Sequence, residues 1–228
     1  MQPTVHLGFV KIGPAPSVVG VASRMATLND IASTVPACDV VEVRRDIIGP
    51  EAARWLRATS AHPPILLTVR AEKEGGKWTD SESVRAAEYI ALLPYVDAVD
   101  VELESDAFPV VTAEAKKMKR TVVGSFHDFK VTPDESRLHE LIERGASAGA
   151  DIVKIAAWTE TEADVERLEA LLNIHASAPL AVMGMGPLGV ASRLRLAASG
   201  SCLVYGFLDE ESAPGQLSAA ELMRRLRR

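Results

Sequence analysis

Cysteine is scarce in this sequence. Cys38 and Cys202 are the only two among 228 residues, and they lie far apart, without the spacing of a metal site or a redox pair. We therefore predict two reduced thiols and no cysteine-based chemistry.

The sequence also lacks an excess of basic residues and any long apolar run. Lys and Arg number 25 against 31 Asp and Glu, a net charge of -6, which disfavours nucleic acid or an anionic membrane as the main partner. No apolar run approaches the length that spans a bilayer, and residues 1–13 lack the basic and apolar regions of a secretion signal. We expect a cytoplasmic protein whose partner is a small molecule.

Short runs of β-branched and aliphatic residues recur along the chain, and each predicts a strand. The eight runs are Ser17 to Ala22, Asp39 to Val43, Ile65 to Val69, Ala98 to Leu103, Thr121 to Phe126, Asp151 to Ile155, Leu180 to Met183 and Ser201 to Tyr205. Helical periodicity fills the stretches between them, with helix starts at Pro50 and after Thr132-Pro133-Asp134-Glu135.

This alternation of strand and helix predicts an α/β fold, a single (β/α)8 TIM barrel with an all-parallel sheet. No low-complexity tract or long linker divides the chain, so we expect one catalytic domain over residues 1–228. The alternative is an open doubly wound sheet. It is disfavoured because no glycine-rich phosphate loop follows the first strand.

Charged and polar residues interrupt the predicted strands near their carboxyl ends, at every second position. The alternating polar pairs are Glu42 and Arg44, Thr68 and Arg70, and Asp100 and Glu102. Period two places them on one face and their apolar neighbours on the other, so we expect the polar set to line the barrel mouth. A buried salt-bridge network is the competing interpretation for each charge alone.

Lys154 lies within the apolar run Ile152-Val153-Lys154-Ile155-Ala156-Ala157. An ammonium is poorly solvated in such surroundings, so the neutral, nucleophilic amine that imine chemistry needs becomes accessible. The alternative is a structural lysine paired with Asp100 or Glu102.

His127 follows the predicted strand Thr121 to Phe126, where a side chain that titrates near neutrality can both take and return a proton. A histidine held by a backbone partner is the alternative interpretation. Glu74, in a predicted flexible loop beyond Arg70, could orient this histidine, although an acidic loop residue is more often only solvated.

Together these residues resemble the type I 3-dehydroquinate dehydratases of the shikimate pathway. The resemblance covers most of the chain in order and is carried by these segments: Glu42-Val43-Arg44, Thr68-Val69-Arg70 with Glu74-Gly75-Gly76, Asp100-Val101-Glu102, Ser125-Phe126-His127-Asp128-Phe129 with Thr132-Pro133, Asp151-Ile152-Val153-Lys154-Ile155-Ala156, Met183-Gly184-Met185-Gly186, Ser192-Arg193 and Ser212-Ala213-Pro214-Gly215-Gln216.

The resemblance implies a homodimeric barrel that reversibly dehydrates 3-dehydroquinate to 3-dehydroshikimate without metal or organic cofactor. It implies that Lys154 is the Schiff-base lysine, His127 the general acid and base, and Glu74 the partner of that histidine. The substrate carboxylate would be held by Arg193. The remaining implied substrate contacts are Glu42, Arg44, Arg70, Ser212 and Gln216 around the ring hydroxyls, and Met183 and Met185 as apolar wall.

The sequence departs from the family pattern in places. Val21 stands where a small polar residue is expected, and Ser23 is the residue that could compensate; Val204 stands where the family often has threonine. The stretch from Ser212 to Gln216 combines proline and glycine and is interpreted as a lid.

Two other functions remain as hypotheses. One is a class I Schiff-base aldolase on a phosphorylated substrate, with Met183-Gly184-Met185-Gly186-Pro187-Leu188-Gly189 as a phosphate cradle before a helix. The other is a catalytically silent barrel that binds a ligand, which the joint presence of Lys154, His127 and Glu74 disfavours.

Overall fold

Eight parallel strands curve into one nearly closed barrel, with helices around its outside. The structure, a computed structural model, describes residues 5–13, 15–33, 37–59, 61–211 and 216–227. The predicted barrel is confirmed, and the open doubly wound sheet is wrong.

The strands follow the predicted runs closely. A two-stranded antiparallel hairpin comes first, β1 (Val5–Leu7) and β2 (Val10–Ile12). The barrel strands are β3 (Ser17–Ala22), β4 (Val40–Arg44), β5 (Ile65–Thr68), β6 (Ala98–Glu102), β7 (Thr121–Asp128), β8 (Ile152–Trp158), β9 (Leu180–Met185) and β10 (Leu203–Phe207).

The helices are α1 (Met25–Ser33), α2 (Arg45–Ile48), α3 (Glu51–Arg57), α4 (Glu82–Leu92), α5 (Ala107–Lys117), α6 (Glu135–Ser147), α7 (Glu162–Ala170), α8 (Gly189–Ala198) and α9 (Ala219–Leu226). Short 3-10 turns occupy Glu72–Glu74, Leu93–Tyr95 and Leu171–Asn173. The predicted start of α6 is confirmed, because the Asp134 side chain accepts a hydrogen bond from the Arg137 backbone N–H at 2.8 Å. None of the described helices is long and apolar enough to cross a membrane.

Side chains alternate between the two faces of the sheet along each strand, as predicted. The outward set packs against the helices in one large cluster that includes Val41, Leu67, Val99 and Val153. The inward set is apolar at the amino ends of the strands, where Val40, Leu66, Ala98, Ile152 and Leu203 pack together. The polar inward residues therefore lie above an apolar floor, toward the carboxyl ends.

The hairpin β1–β2 adds to this floor, and the sequence analysis did not predict it. Leu7 and Ile12 have no solvent exposure and belong to the same interior cluster as Val40 and Leu66. Since their strands contribute one buried side chain each, the hairpin supplies apolar cover and leaves the functional face to the opposite end.

The barrel has one seam. In the described part of the chain the ladders run in the order β10-β3-β4-β5-β6-β7-β8-β9, and none joins β9 to β10. Ser201 bridges the gap, accepting from the Val182 N–H at 2.9 Å and donating to the Leu203 carbonyl at 3.2 Å. Higher up, Arg193 donates to the Tyr205 carbonyl at 3.2 Å.

Candidate active site

A cavity opens at the carboxyl ends of the strands, where the polar inward residues are. Its lining comprises Val21, Glu42, Arg44, Arg70, Glu74, Gly75, His127, Phe129, Lys154, Ala156, Met183, Met185, Arg193, Tyr205 and Gln216. Every predicted site residue is among them except Ser212, which lies outside the described residues together with most of the predicted lid. The structure thus brings together side chains from seven of the barrel strands or the segments that follow them.

Lys154 is in the middle of β8, and its side chain points into the cavity with 5% exposure. Its Nζ donates to Asp100 Oδ2 at 2.9 Å and lies 4.0 Å from the centroid of the Tyr205 ring. The pairing with Asp100 that was raised as an alternative is therefore present. This ion pair does not remove Lys154 from the cavity, whose lining includes the lysine.

Asp100 connects the lysine to Arg70. Arg70 donates to Asp100 Oδ1 at 2.5 Å and to Ser125 Oγ at 2.8 Å, and Ser125 donates to Asp100 Oδ1 at 2.6 Å. Burial opposes ionisation of Asp100, but Arg70 and Lys154 outweigh it and lower the pKa of the carboxyl. Asp100 is thus a fixed negative charge beside the Lys154 amine.

A second carboxylate, Glu102, lies behind this network. It forms an ion pair with Arg70 at 3.1 Å, accepts from the Ala71 N–H at 3.0 Å and is bonded to Arg85 of α4. Burial opposes the charge of Glu102, and Arg70 and Arg85 lower its pKa. Each buried charge has a partner, which is the condition under which such groups are tolerated in a core.

His127 and Glu74 form a pair in the cavity wall. The His127 Nδ1 lies 2.9 Å from Glu74 Oε2, and the same oxygen accepts the His127 backbone N–H at 3.0 Å. Each side chain is 8% exposed. Two contacts to one residue fix the orientation of the imidazole, as the predicted role of Glu74 requires.

The loop that carries Glu74 is more ordered than the sequence analysis expected. Glu74 ends a 3-10 turn, and the Gly76 N–H donates to the Ala71 carbonyl at 3.0 Å. Gly75 has φ +79°, and a Cβ there would lie 2.6 Å from the Phe129 ring. Only glycine fits this position, so the turn can bring Glu74 against His127.

Burial has the largest effect on the pKa values of His127 and Glu74. Burial, with the nearby cations of Arg70 and Lys154, lowers the pKa of His127 well below its ordinary value. Burial raises the pKa of Glu74 to about 8, against the opposing effect of Arg70. The imidazole is therefore neutral near pH 7, which is the form that accepts a proton.

Arg193, in the middle of α8, lines the cavity beside the seam and is 2% exposed. Its guanidinium also lies 3.9 Å from the Met183 sulfur. Burial lowers its pKa to about 10, with Glu211 opposing, so it is cationic at neutral pH. Gln216 lines the same side, and its backbone N–H donates to Glu211 Oε1 at 3.1 Å.

Glu42 and Arg44 of β4 already have protein partners. Glu42 accepts from the Thr68 hydroxyl at 2.6 Å, and Arg44 donates twice to Asp46, at 3.0 and 2.7 Å. Their orientations are thus fixed before any ligand binds.

The sequence suggested that Ser23 could compensate for Val21 in the cavity wall, but it does not. Val21 lines the cavity, as its position in β3 implies, but Ser23 is not among the lining residues. The Ser23 hydroxyl donates to Asp209 Oδ1 at 2.6 Å, and its N–H donates to Asp209 Oδ2 at 2.9 Å. Ser23 therefore begins the turn into α1, and the cavity wall at Val21 is apolar.

Comparison with known proteins agrees with the geometry. The family model for type I 3-dehydroquinase matches residues 18–227. The chain belongs to the type I 3-dehydroquinase family. The cavity at the barrel mouth is accordingly its candidate active site.

Individual members of the type I 3-dehydroquinase family align over nearly the whole chain. A 3-dehydroquinate dehydratase from Methanococcoides burtonii is 31% identical, over 96% of this chain and 97% of the relative. One from Lactiplantibacillus plantarum is 32% identical over 97% and 96%. The crystal structure of the type I enzyme from Clostridium difficile with covalently modified comenic acid has a TM-score of 0.88 at 28% identity, over 99% of this chain and 97% of that one.

Gly184 of β9 allows close packing in this type I 3-dehydroquinase. A Cβ at Gly184 would lie 2.3 Å from the Ser192 hydroxyl and 2.9 Å from that of Thr159, so Gly184 lets α8 approach β9 closely. The absence of a side chain at Gly184 is therefore explained by packing, without a bound phosphate.

Two aromatic residues of the cavity, Tyr205 and Phe129, were not assigned roles from the sequence. Tyr205 was only the last residue of a predicted strand, yet its ring faces Lys154, some 50 residues earlier in the chain. Phe129 stacks against His127 with ring centroids 6.5 Å apart. Every second side chain of β10 points into the barrel, and Tyr205 is one of these because it pairs in register with Val19 of the interior cluster. The alternation along this strand would therefore have indicated Tyr205.

Proposed function

We propose that Lys154 forms an imine with the C3 ketone of 3-dehydroquinate and that His127 transfers the protons of the dehydration. The protein is a 3-dehydroquinate dehydratase of the shikimate pathway. The observation that carries the mechanism is that Lys154 and the oriented His127–Glu74 pair line one cavity.

In the first step the Lys154 amine, after losing a proton, attacks C3, and the ketone oxygen leaves as water. The resulting iminium is cationic, like the ammonium it replaces. Asp100, 2.9 Å from Nζ and held ionised by Arg70, stabilises positive charge at this nitrogen in both states. Asp100 is therefore a positioning residue for Lys154.

The iminium draws electrons from C2, so the C2 proton becomes acidic enough for a neutral imidazole to remove. The enamine then expels the C1 hydroxyl, which takes the proton back from His127 and leaves as water. Hydrolysis of the imine by another water releases 3-dehydroshikimate and restores the amine. Glu74 supports this cycle because its carboxyl oxygen is bonded to Nδ1 and leaves Nε2 for the substrate.

The remaining cavity residues fit the polar and apolar parts of the substrate. The fork of Arg193 is suited to the carboxylate, and its burial makes that ionic contact strong. Glu42, Arg44, Arg70 and Gln216 would bind or orient the ring hydroxyls, with Ser212 assigned by the resemblance alone. Met183 and Met185 supply an apolar wall.

Assembly and location belong to the same proposal. A single domain is supported because β3 and β10, from opposite ends of the described chain, pair in one sheet. The family resemblance supports a homodimer in the cytoplasm. Light scattering on the purified protein tests the dimer, and a monomeric mass would reject it.

The decisive experiment mixes the protein with 3-dehydroquinate, follows the enone absorbance of the product and then adds borohydride. Turnover with a mass adduct on Lys154 is expected. Lys154→Ala should abolish the adduct, whereas Lys117→Ala, on the exposed face of α5, should keep it. Turnover without an adduct would contradict the imine.

The two rival functions give different results in the same experiment. Binding of substrate without enone formation would indicate a silent ligand-binding barrel. Cleavage of a phosphorylated aldol substrate without dehydration would indicate the aldolase.

A further inference from the structure

Tyr205 contacts two of the proposed functional residues from β10. Its ring face lies under Lys154, with Nζ 4.0 Å from the ring centroid, and its backbone carbonyl accepts from Arg193 at 3.2 Å. The residue is 4% exposed and lines the cavity. Its ring is thus part of the wall nearest the atom that would bond to the substrate.

The Tyr205 hydroxyl is buried and has no hydrogen-bond partner within the described ranges. Nearly all buried polar atoms in folded proteins are bonded, so this exception needs an explanation. The neighbouring interior residues on β3 are Val19 and Val21, which offer it no polar group. Burial raises the pKa of the phenol well above its ordinary value, so the oxygen keeps its proton and can both donate and accept.

We propose that Tyr205 is a further substrate-binding and positioning residue, whose hydroxyl bonds a ring hydroxyl of the substrate and whose ring face holds the Lys154 cation. The proposal rests on the imine mechanism of the preceding section for the second of these roles. A cation over an aromatic face is stabilised by the ring quadrupole, and this attraction serves the ammonium and the iminium alike.

The two roles separate in two variants. Tyr205→Phe keeps the ring and removes only the hydroxyl, while Tyr205→Leu removes the ring as well. Tyr95→Phe is the matched control, because Tyr95 lies in a 3-10 turn before β6 and does not line the cavity.

For Tyr205→Phe the KM for 3-dehydroquinate should rise roughly three- to tenfold, the effect of one lost hydrogen bond, with a much smaller change in kcat. The thermal midpoint of the unliganded protein should stay the same or rise, since the lost hydroxyl had no partner to lose. For Tyr205→Leu the rate of borohydride trapping at Lys154 should also fall, by roughly tenfold, because the ring that holds Nζ in position is gone. Tyr95→Phe should change none of these.

The possible results separate the role of the Tyr205 hydroxyl, the role of its ring and the imine mechanism. An unchanged KM in Tyr205→Phe would overturn the role of the hydroxyl, and a lowered thermal midpoint with unchanged KM would show that it is structural. Trapping in Tyr205→Leu at the rate of Tyr205→Phe would overturn the role of the ring. Failure of the unaltered protein to form any Lys154 adduct would instead reject the proposed imine mechanism, whatever the Tyr205 variants do.

Discussion

Replacement of His127 and replacement of Lys154 should have different effects on adduct trapping and turnover. His127→Ala removes the proposed proton-transfer group but leaves Lys154 and Asp100 in contact, so borohydride should still trap an adduct on Lys154. Turnover should fall by about 10²- to 10⁴-fold, the usual contribution of a general acid or base. Enone absorbance and the mass of the trapped protein measure the two effects.

The control for this comparison is His139→Ala, on α6 and outside the cavity, which should behave like the unaltered protein. Normal turnover in His127→Ala would contradict the role of the histidine. Loss of trapping as well as turnover would show that His127 is needed for imine formation too.

Glu74 should make the stability of the fold depend on pH. Its pKa rises from an ordinary 4.5 to about 8 on burial, so the folded protein binds this proton more tightly than the unfolded chain does. The stabilisation is complete below pH 4.5 and is lost as the pH rises toward 8. Glu74→Gln should therefore have a flatter dependence of the free energy of unfolding on pH across this range.

Denaturant titrations at several pH values measure this effect. Glu166→Gln, on the exposed face of α7, is the control and should follow the unaltered protein. A Glu74→Gln curve parallel to that of the unaltered protein would mean that Glu74 titrates in the folded state as it does in the unfolded one.

At the residue scale, the position of a side chain in the cavity could be predicted from sequence where the signal was local. Lys154 and His127 stand out because each interrupts or ends an apolar strand, and strand parity turns both inward. The contact of Lys154 with Asp100 depends on the register of β6, β7 and β8 together, which no local pattern encodes. Tyr205 was missed although the alternation along β10 places it inward.

At the scale of elements, the seam between β9 and β10 should depend on Ser201. Its hydroxyl is the partner of the Val182 N–H, and Ser201→Ala would leave this buried donor unbonded. We expect a loss of about 1–3 kcal/mol in the free energy of unfolding, measured by denaturant titration.

Ser147→Ala, at the exposed end of α6, is the matched control and should stay within about 0.5 kcal/mol of the unaltered protein. An equally stable Ser201→Ala variant would show that the seam does not rely on this side chain.

The barrel strands could be predicted because each carries three or more apolar positions of its own. β1 and β2 could not, since three residues with one buried side chain each give too short an alternation to recognise. α2 was also missed, because four residues show no helical period and none of them is buried.

The whole molecule should unfold as one unit if it is a single domain. Trp55 of α3, Trp78 after β5 and Trp158 at the end of β8 report on separate parts of the barrel. Their combined fluorescence and the far-ultraviolet circular dichroism should give one coincident transition in denaturant. Two separated transitions would contradict the single domain.

The barrel as a whole could be predicted from the repeated strand–helix unit, since parallel strands joined by helices follow one another around a sheet. The position of the seam could not, because it depends on how the last strand meets its two neighbours. β10 is joined by a ladder to β3 but not to β9, although β9 precedes it in the chain.

This asymmetry makes the chain a natural subject for circular permutation. A chain opened before Gly200, which has open space around it, and joined end to end by a flexible linker would begin with β10. Its strand order along the chain would then be the strand order in the sheet, so the most distant pairing, β10 with β3, would become local. Because local pairings speed folding, the permuted chain should refold faster than the natural one.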